Sequence, residues 1–179
     1  MTDSRTTPYT PFFKGEYPTL NNEMLAIIQK IHTFFREKKL TLSVAESCTG
    51  GLISHLITTV PGAGAFFEAG VVAYSPAVKE KMLGVSPETI AKYGVVSEQT
   101  VREMAKNIRS LTNTDFSLST SGNLGPDVLE DKEKGLVYIA VCKEGETLSK
   151  ELRLKGNREE NKAMASRLAM EFLMEIAEG

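Results

Sequence analysis

The chain has 179 residues, 41% of them hydrophobic and 25% charged, with a net charge of −2. That length suits one domain with a real core, and the charge balance leaves no electrostatic footprint for nucleic acid or an anionic membrane. No apolar stretch is long enough to span a membrane and no signal peptide is legible at the N-terminus, so a cytoplasmic domain with neither membrane nor nucleic-acid partners is expected.

Residues 1–20 carry Pro8, Pro11, Phe12, Phe13 and Pro18 without periodicity and read as an extended arm preceding a single domain over 21–179. Asn21 or Asn22 can cap a helix whose apolar stripe is Met24, Ile27, Ile28, Ile31, Phe34 and Phe35. Leu40–Ala45 reads as a strand, and a helix follows from about Gly50 to Val60, broken by Pro61-Gly62-Ala63-Gly64. Glu68–Ser75 reads as a second strand. Short helices open at Pro76 and Ser86-Pro87, and Ser97 caps a longer one carrying Val101, Met104, Ala105, Ile108 and Leu111. Phe116–Ser121 and Leu136–Cys142 are further strands, the latter apolar enough for burial on both faces. Thr147–Leu154 alternates and forms a hairpin with it through Lys143-Glu144-Gly145-Glu146. Asn157 begins a last helix with Met164, Leu168, Phe172 and Ile176 inward. The pattern predicts a three-layer α/β/α sandwich around a mixed, mainly parallel sheet.

In such sheets ligands collect beyond the carboxyl ends of strands. Three of those ends are polar or glycine-rich here: Glu46–Gly51, Tyr74–Lys79 and Ser121–Asp127. The first is the richest. Ser47, Cys48 and Thr49 arrive with Gly50 and Gly51 at a strand-to-helix junction, where unpaired N–H groups suit an anion or developing oxyanion. The simpler reading is a helix N-cap supplied by Ser47 or Thr49.

A hydroxyl nucleophile needs a base. His55 lies eight residues after Ser47 and His32 sits near an apolar stripe, so both read as structural or surface groups. A lysine whose pKa is lowered can serve instead. Lys79 follows the turn Tyr74-Ser75-Pro76 and is the candidate, with Lys81 as a solvated neighbour. Cys48 is a rival nucleophile, but no histidine partner is in view, and its bland reading is a small buried residue. Cys48 and Cys142 lack metal-ligand spacing and are expected as reduced thiols; two histidines make no metal site.

The chain resembles the C-terminal domain of the competence-damage-inducible protein CinA, the nicotinamide-nucleotide amidase family. The resemblance runs from about Leu40 to the C-terminus. It rests on Ala45-Glu46-Ser47-Cys48-Thr49-Gly50-Gly51, on Val72-Ala73-Tyr74-Ser75 with Lys79 and Leu83-Gly84-Val85, and on Gly94-Val95-Val96-Ser97-Glu98. It continues through Ser121-Gly122 with Gly125-Pro126-Asp127, and Gly135-Leu136-Val137-Tyr138-Ile139-Ala140. It implies deamidation of nicotinamide mononucleotide to nicotinate mononucleotide and ammonia, with Ser47 as nucleophile, Lys79 as base and Tyr74 nearby. Glu46, Cys48, Thr49, Gly50, Gly51, Ser121, Gly122 and Arg158 are then expected to border a pyridine-nucleotide substrate, with Arg158 and Ser121-Gly122 on its phosphate. No metal or organic cofactor is implied, and a homo-oligomer is expected. Larger members carry an N-terminal nucleotide-pyrophosphatase-like domain for which 179 residues leave no room, so the stand-alone form is expected. One segment departs from the family pattern: Asn123-Leu124 and the run Val128-Leu129-Glu130-Asp131-Lys132-Glu133-Lys134 replace small residues and glycines. That loop leaves open a second class, a nucleotide-binding or regulatory module with altered turnover.

Overall fold

The computed structural model describes residues 21–179, and the expected arm at 1–20 lies outside the described residues. Helix α1 (Asn22–Lys38) is capped by Asn21, whose side chain accepts from the Met24 N–H. It ends where Lys39 turns left-handed. Strand β1 (Leu42–Glu46) is buried at every residue, and a polar turn leads from it to α2 (Leu52–Thr59). A 3₁₀ turn at Ala63–Ala65 precedes β2 (Phe67–Val72). Ser75, Ser86 and Ser97 then cap α3 (Pro76–Leu83), α4 (Pro87–Tyr93) and α5 (Glu98–Thr112), as the Ser-Pro pairs and Ser97 foretold. Strand β3 (Phe116–Gly122) is followed by the hairpin β4 (Leu136–Lys143) and β5 (Glu146–Arg153). Helix α6 (Arg158–Glu178) opens on a capping box between Asn157 and Glu160.

The sheet has five strands in the order β2-β1-β3-β4-β5. β1 pairs in parallel with β2 and β3, while β4 is antiparallel to both β3 and β5. Four strands therefore point one way and β4 alone is reversed. The sheet is mixed and mainly parallel in strand direction, although its pairings divide evenly.

Helices α1, α2 and α6 pack on one face, where Ile28, Ile31, Phe35, Ile53, Ile57 and Leu173 meet Val44, Leu118 and Ile139. Helices α3, α4 and α5 cover the other, with Met104 and Ile108 against Ala45 and Ala73. That second face is unusually polar. Ser117, Ser119 and Ser121 of β3 are buried there and donate to the carbonyls of Ala105, Val101 and Val95, each at 2.6 Å. Small side chains let α5 lie close to the sheet, and each hydroxyl proton finds a partner.

His32 is structural. It is buried, its Nε2 lies 2.8 Å from the Ile57 carbonyl, and burial lowers its pKa. Phe66 bears on it edge-on and stacks against Phe35. Because Phe66 is fully buried among these rings, Phe66→Ala should cost about 3–5 kcal/mol in urea unfolding; a loss below about 1 kcal/mol would show that this cluster does not anchor the core.

Candidate active site

The strand order places β1 between β2 and β3; the β1–β2 connection through α2 covers one face of the sheet, and the β2–β3 connection through α3–α5 crosses over β1 on the other. The crevice beyond the carboxyl ends of β1 and β3 is therefore the topological switch point, where ligands bind in such sheets. A cavity of about 460 Å³ opens there. Ser47 follows β1, Ser121 and Gly122 end β3, Tyr74 and Lys79 come from the β2–α3 turn, and Arg158 starts α6; all line it.

At its floor the Lys79 Nζ lies 2.9 Å from the Ser47 Oγ. The same nitrogen donates to the carbonyls of Ala73 at 2.8 Å and Tyr74 at 3.3 Å. Lys79 is only 1% exposed and Ser47 8%. Burial lowers the Lys79 pKa to about 8, against a smaller upward pull from Cys48 and Glu130. A neutral amine has two N–H groups and one lone pair. The two carbonyls take the first, which leaves the lone pair for the Ser47 hydroxyl. Lys81, two residues on, is exposed.

Cys48 also lines the cavity, but burial pushes its thiol up to about 12, so it stays protonated at neutral pH. A thiol held protonated is a poor nucleophile, which favours the reading of a small buried residue. His55 is exposed on α2 and supplies no base.

Four expected substrate neighbours do not line the cavity: Glu46, Thr49, Gly50 and Gly51. Glu46 is fully buried and turned to the start of α2. Its carboxylate accepts from the backbone N–H groups of Gly51, Ile53 and Ser54 and from the Ser54 hydroxyl, at 2.7–3.1 Å. Glu46, not Ser47 or Thr49, thus caps α2 and satisfies its dipole. Thr49 shares a hydrogen bond with Thr120 at 2.8 Å. Gly50 and Gly51 adopt left-handed φ values of 58° and 90°, so they serve the turn itself. A Cβ at these positions would meet the side chains of Lys162 and Val72.

This changes the source of an oxyanion hole. The N–H of Gly50 goes to Ser47 O and that of Leu52 to Thr49 O, while Glu46 takes the rest. Among the described residues, the donors left in this turn are the N–H groups of Cys48 and Thr49.

Arg158 reaches back over the cavity. Its Nη1 donates to Gly125 O and its Nη2 to the Tyr74 hydroxyl at 2.9 Å, and no carboxylate pairs with it among the described residues. With two of its N–H groups engaged among the described residues, further guanidinium donors face the cavity. Ser121 and Gly122 line the cavity beside Arg158, with the Ser121 hydroxyl proton donated to Val95 O. Tyr74 is 60% exposed: its ring forms the rim, and its backbone carbonyl is the part that touches Lys79.

The sequence reading missed the wall formed by Val95 and Val96; Leu124, Asp127 and Leu129, which also line the cavity, belong to the strand end and loop already expected at the site. The signals were Gly94, at φ 84°, and the cap Ser97, which bracket Val95-Val96 as a sharp turn. No cluster of His, Cys, Asp or Glu capable of holding a metal occurs among the described residues.

The model of the CinA C-terminal domain family matches residues 24–177. The chain belongs to that family. Among solved structures, the competence/damage-inducible protein CihA of Agrobacterium tumefaciens superposes with a TM-score of 0.85 at 33% identity, covering 88% of this chain and 97% of that one. The competence damage-inducible protein A of Klebsiella pneumoniae gives 0.83 at 31% identity, covering 86% and 96%. A protein of Alkaliphilus oremlandii named for competence-damage induction is 46% identical over 138 residues, 76% of this chain. The chain spans about a third of the length of such curated relatives, 33% in that case.

Glu46 gives a direct check on the turn that presents Ser47. Glu46→Ala leaves three backbone donors of α2 without an acceptor and should cost at least about 3 kcal/mol in chemical denaturation. A variant as stable as wild type would show that solvent caps α2 equally well.

Proposed function

We propose that this CinA-family domain is an amidohydrolase that converts nicotinamide mononucleotide to nicotinate mononucleotide and ammonia through an acyl-enzyme on Ser47. The carrying observation is the buried Lys79 Nζ held 2.9 Å from the Ser47 Oγ with its other donors assigned to two carbonyls. The relatives' names speak of competence-damage induction and state no reaction, so the chemistry rests on this pair and on the resemblance of the motifs around it.

In the proposed cycle neutral Lys79 takes the Ser47 proton as the serine oxygen attacks the carboxamide carbon. The tetrahedral oxyanion is met by the N–H of Cys48, the residue of this turn that lines the cavity with its N–H not engaged by another residue, where losing such a donor typically costs about 3–4 kcal/mol of barrier. As the C–N bond breaks, the Lys79 ammonium returns its proton to the leaving nitrogen and ammonia departs. Water then attacks the ester, giving a proton to Lys79, and that proton returns to Ser47 as the carboxylate product leaves. Arg158 is the group for the mononucleotide phosphate, and the apolar side chains of Val96 and Leu124 suit the flat ring.

Ammonia release from nicotinamide mononucleotide is the test. Ser47→Ala should abolish it, and Lys79→Met should cost roughly 10²–10⁴-fold. Lys79→Arg should restore nothing, since guanidinium stays protonated. Lys81→Met should match wild type. Because the base works only when neutral, kcat/KM should climb with pH and level off above about 8, the value to which burial lowers Lys79. Wild-type-like activity in Lys79→Arg would end the Ser-Lys mechanism. Ligand-dependent thermal stabilisation with no ammonia released would favour the binding-module reading.

The phosphate assignment is checked separately. Arg158→Met should raise KM for the mononucleotide far more than for nicotinamide riboside, which has no phosphate to lose. Equal effects on the two substrates would remove Arg158 from phosphate recognition.

A further inference from the structure

The loop between β3 and β4 is held by its own polar side chains. Asn123 Nδ2 donates to the carbonyls of Leu129 at 3.1 Å and Lys132 at 3.3 Å, and its Oδ1 accepts from the Leu129 N–H at 3.1 Å. The tip of the loop is pinned across the cavity to the Val95-Val96 turn. Glu130 Oε1 accepts from the Val95 N–H at 2.6 Å and Oε2 from the Val96 N–H at 3.2 Å. Lys132 Nζ reaches Glu130 Oε2 at 2.9 Å and also the carbonyls of Tyr93 and Val96, at 2.7 and 2.8 Å.

The arrangement is built for this contact. Glu130 and Asp131 sit at left-handed φ values of 61° and 52°, which cost a side-chain-bearing residue and are tolerated where surroundings impose them. Gly94 is left-handed too, and a Cβ there would collide with the Glu130 carboxylate. Burial works against ionising Glu130, yet hydrogen bonds from Lys132, Val95 and Val96 hold its pKa below the usual range. Both sides of the contact border the site: Val95 and Val96 from one wall, Asp127 and Leu129 from the other.

We propose that Glu130 is a specificity-determining residue: its carboxylate, gripped by the Val95 and Val96 N–H groups and by Lys132, latches the 123–134 loop against the cavity and limits entry to compact nucleotides. The choice of a nicotinamide mononucleotide as the compact ligand rests on the amidase reading. The latch itself does not. Val95 and Val96 of the turn and Asp127 and Leu129 of the loop line one cavity of about 460 Å³, so the latch fixes the spacing of these walls and with it the room left for a ligand larger than a mononucleotide.

The test uses the full chain. Amide hydrogen exchange at Val95 and Val96 should accelerate at least about tenfold in Glu130→Ala, because a charge-assisted acceptor is lost. Glu130→Gln and Lys132→Met should fall between it and wild type, and they carry the test if Glu130→Ala does not fold. Binding is then measured by calorimetry in a Ser47→Ala background, so that turnover plays no part. Wild-type latch residues should favour nicotinamide mononucleotide over nicotinamide adenine dinucleotide, and Glu130→Ala should cut that preference at least about tenfold, the effect of one charged hydrogen bond. Unchanged exchange at Val95 and Val96 overturns the latch. Faster exchange with an unchanged binding preference overturns its role in specificity. Absence of ammonia release from wild type, with exchange and binding as expected, sinks the amidase reading and leaves this inference standing.

Discussion

A buried lysine amine that pairs with no carboxylate among the described residues is the constraint around which this site is organised. Removing an ammonium from water is costly, and the protein meets that cost by letting the amine shed its charge near pH 8. The carbonyls of Ala73 and Tyr74 take its two N–H groups, so β2 has to end where it does and turn sharply into α3. Pro76 and the Ser75 cap make that turn. With the donors fixed, the lone pair has one partner left, the Ser47 hydroxyl.

Placing Ser47 correctly falls to a second buried charge. Glu46 is the last residue of β1, and its side chain points to the α2 side while Ser47 faces the cavity. By collecting three backbone N–H groups and the Ser54 hydroxyl, Glu46 locks the turn from within the fold. The helix dipole is thereby spent on a protein carboxylate rather than on a ligand. Of the N–H groups left in the turn, that of Cys48 belongs to a residue lining the cavity. Two carboxylates, Glu46 and Glu130, each occupy a set of N–H groups at a sharp turn, and both turns border the same cavity.

The polar face of the sheet serves the same geometry. Ser117, Ser119 and Ser121 draw α5 and the Val95 turn onto β3 through hydroxyl–carbonyl bonds, where larger side chains would hold them away. The cavity wall is therefore continuous with the core. The 123–134 loop supplies the opposite wall and is held by side-chain hydrogen bonds.

Much of this was legible in the chain itself. The order of elements, the Ser75, Ser86 and Ser97 caps, the hairpin and the mixed sheet follow from periodicity and capping, which depend on residues a few positions apart. The convergence of Ser47, Tyr74, Lys79 and Arg158 was foreseen because strand ends in such sheets share one side and because the motifs resemble a family. Tertiary structure alone decided what each group does there. Glu46, Thr49, Gly50 and Gly51 belong to the same motif as Ser47, yet their side chains or backbone turn inward to cap, pair and bend, since direction is set by φ, ψ and packing and not by adjacency. The cap of α2 came from the carboxylate five residues before Gly51 rather than from a hydroxyl at the junction. The spent proton of Ser121, the reach of Arg158 to Gly125 O and the Tyr74 hydroxyl, and the grip of Val95 and Val96 on Glu130, 35 and 34 residues away, join segments with no common local pattern. Such contacts form only when the sheet has brought its ends together, so no spacing in the sequence encodes them.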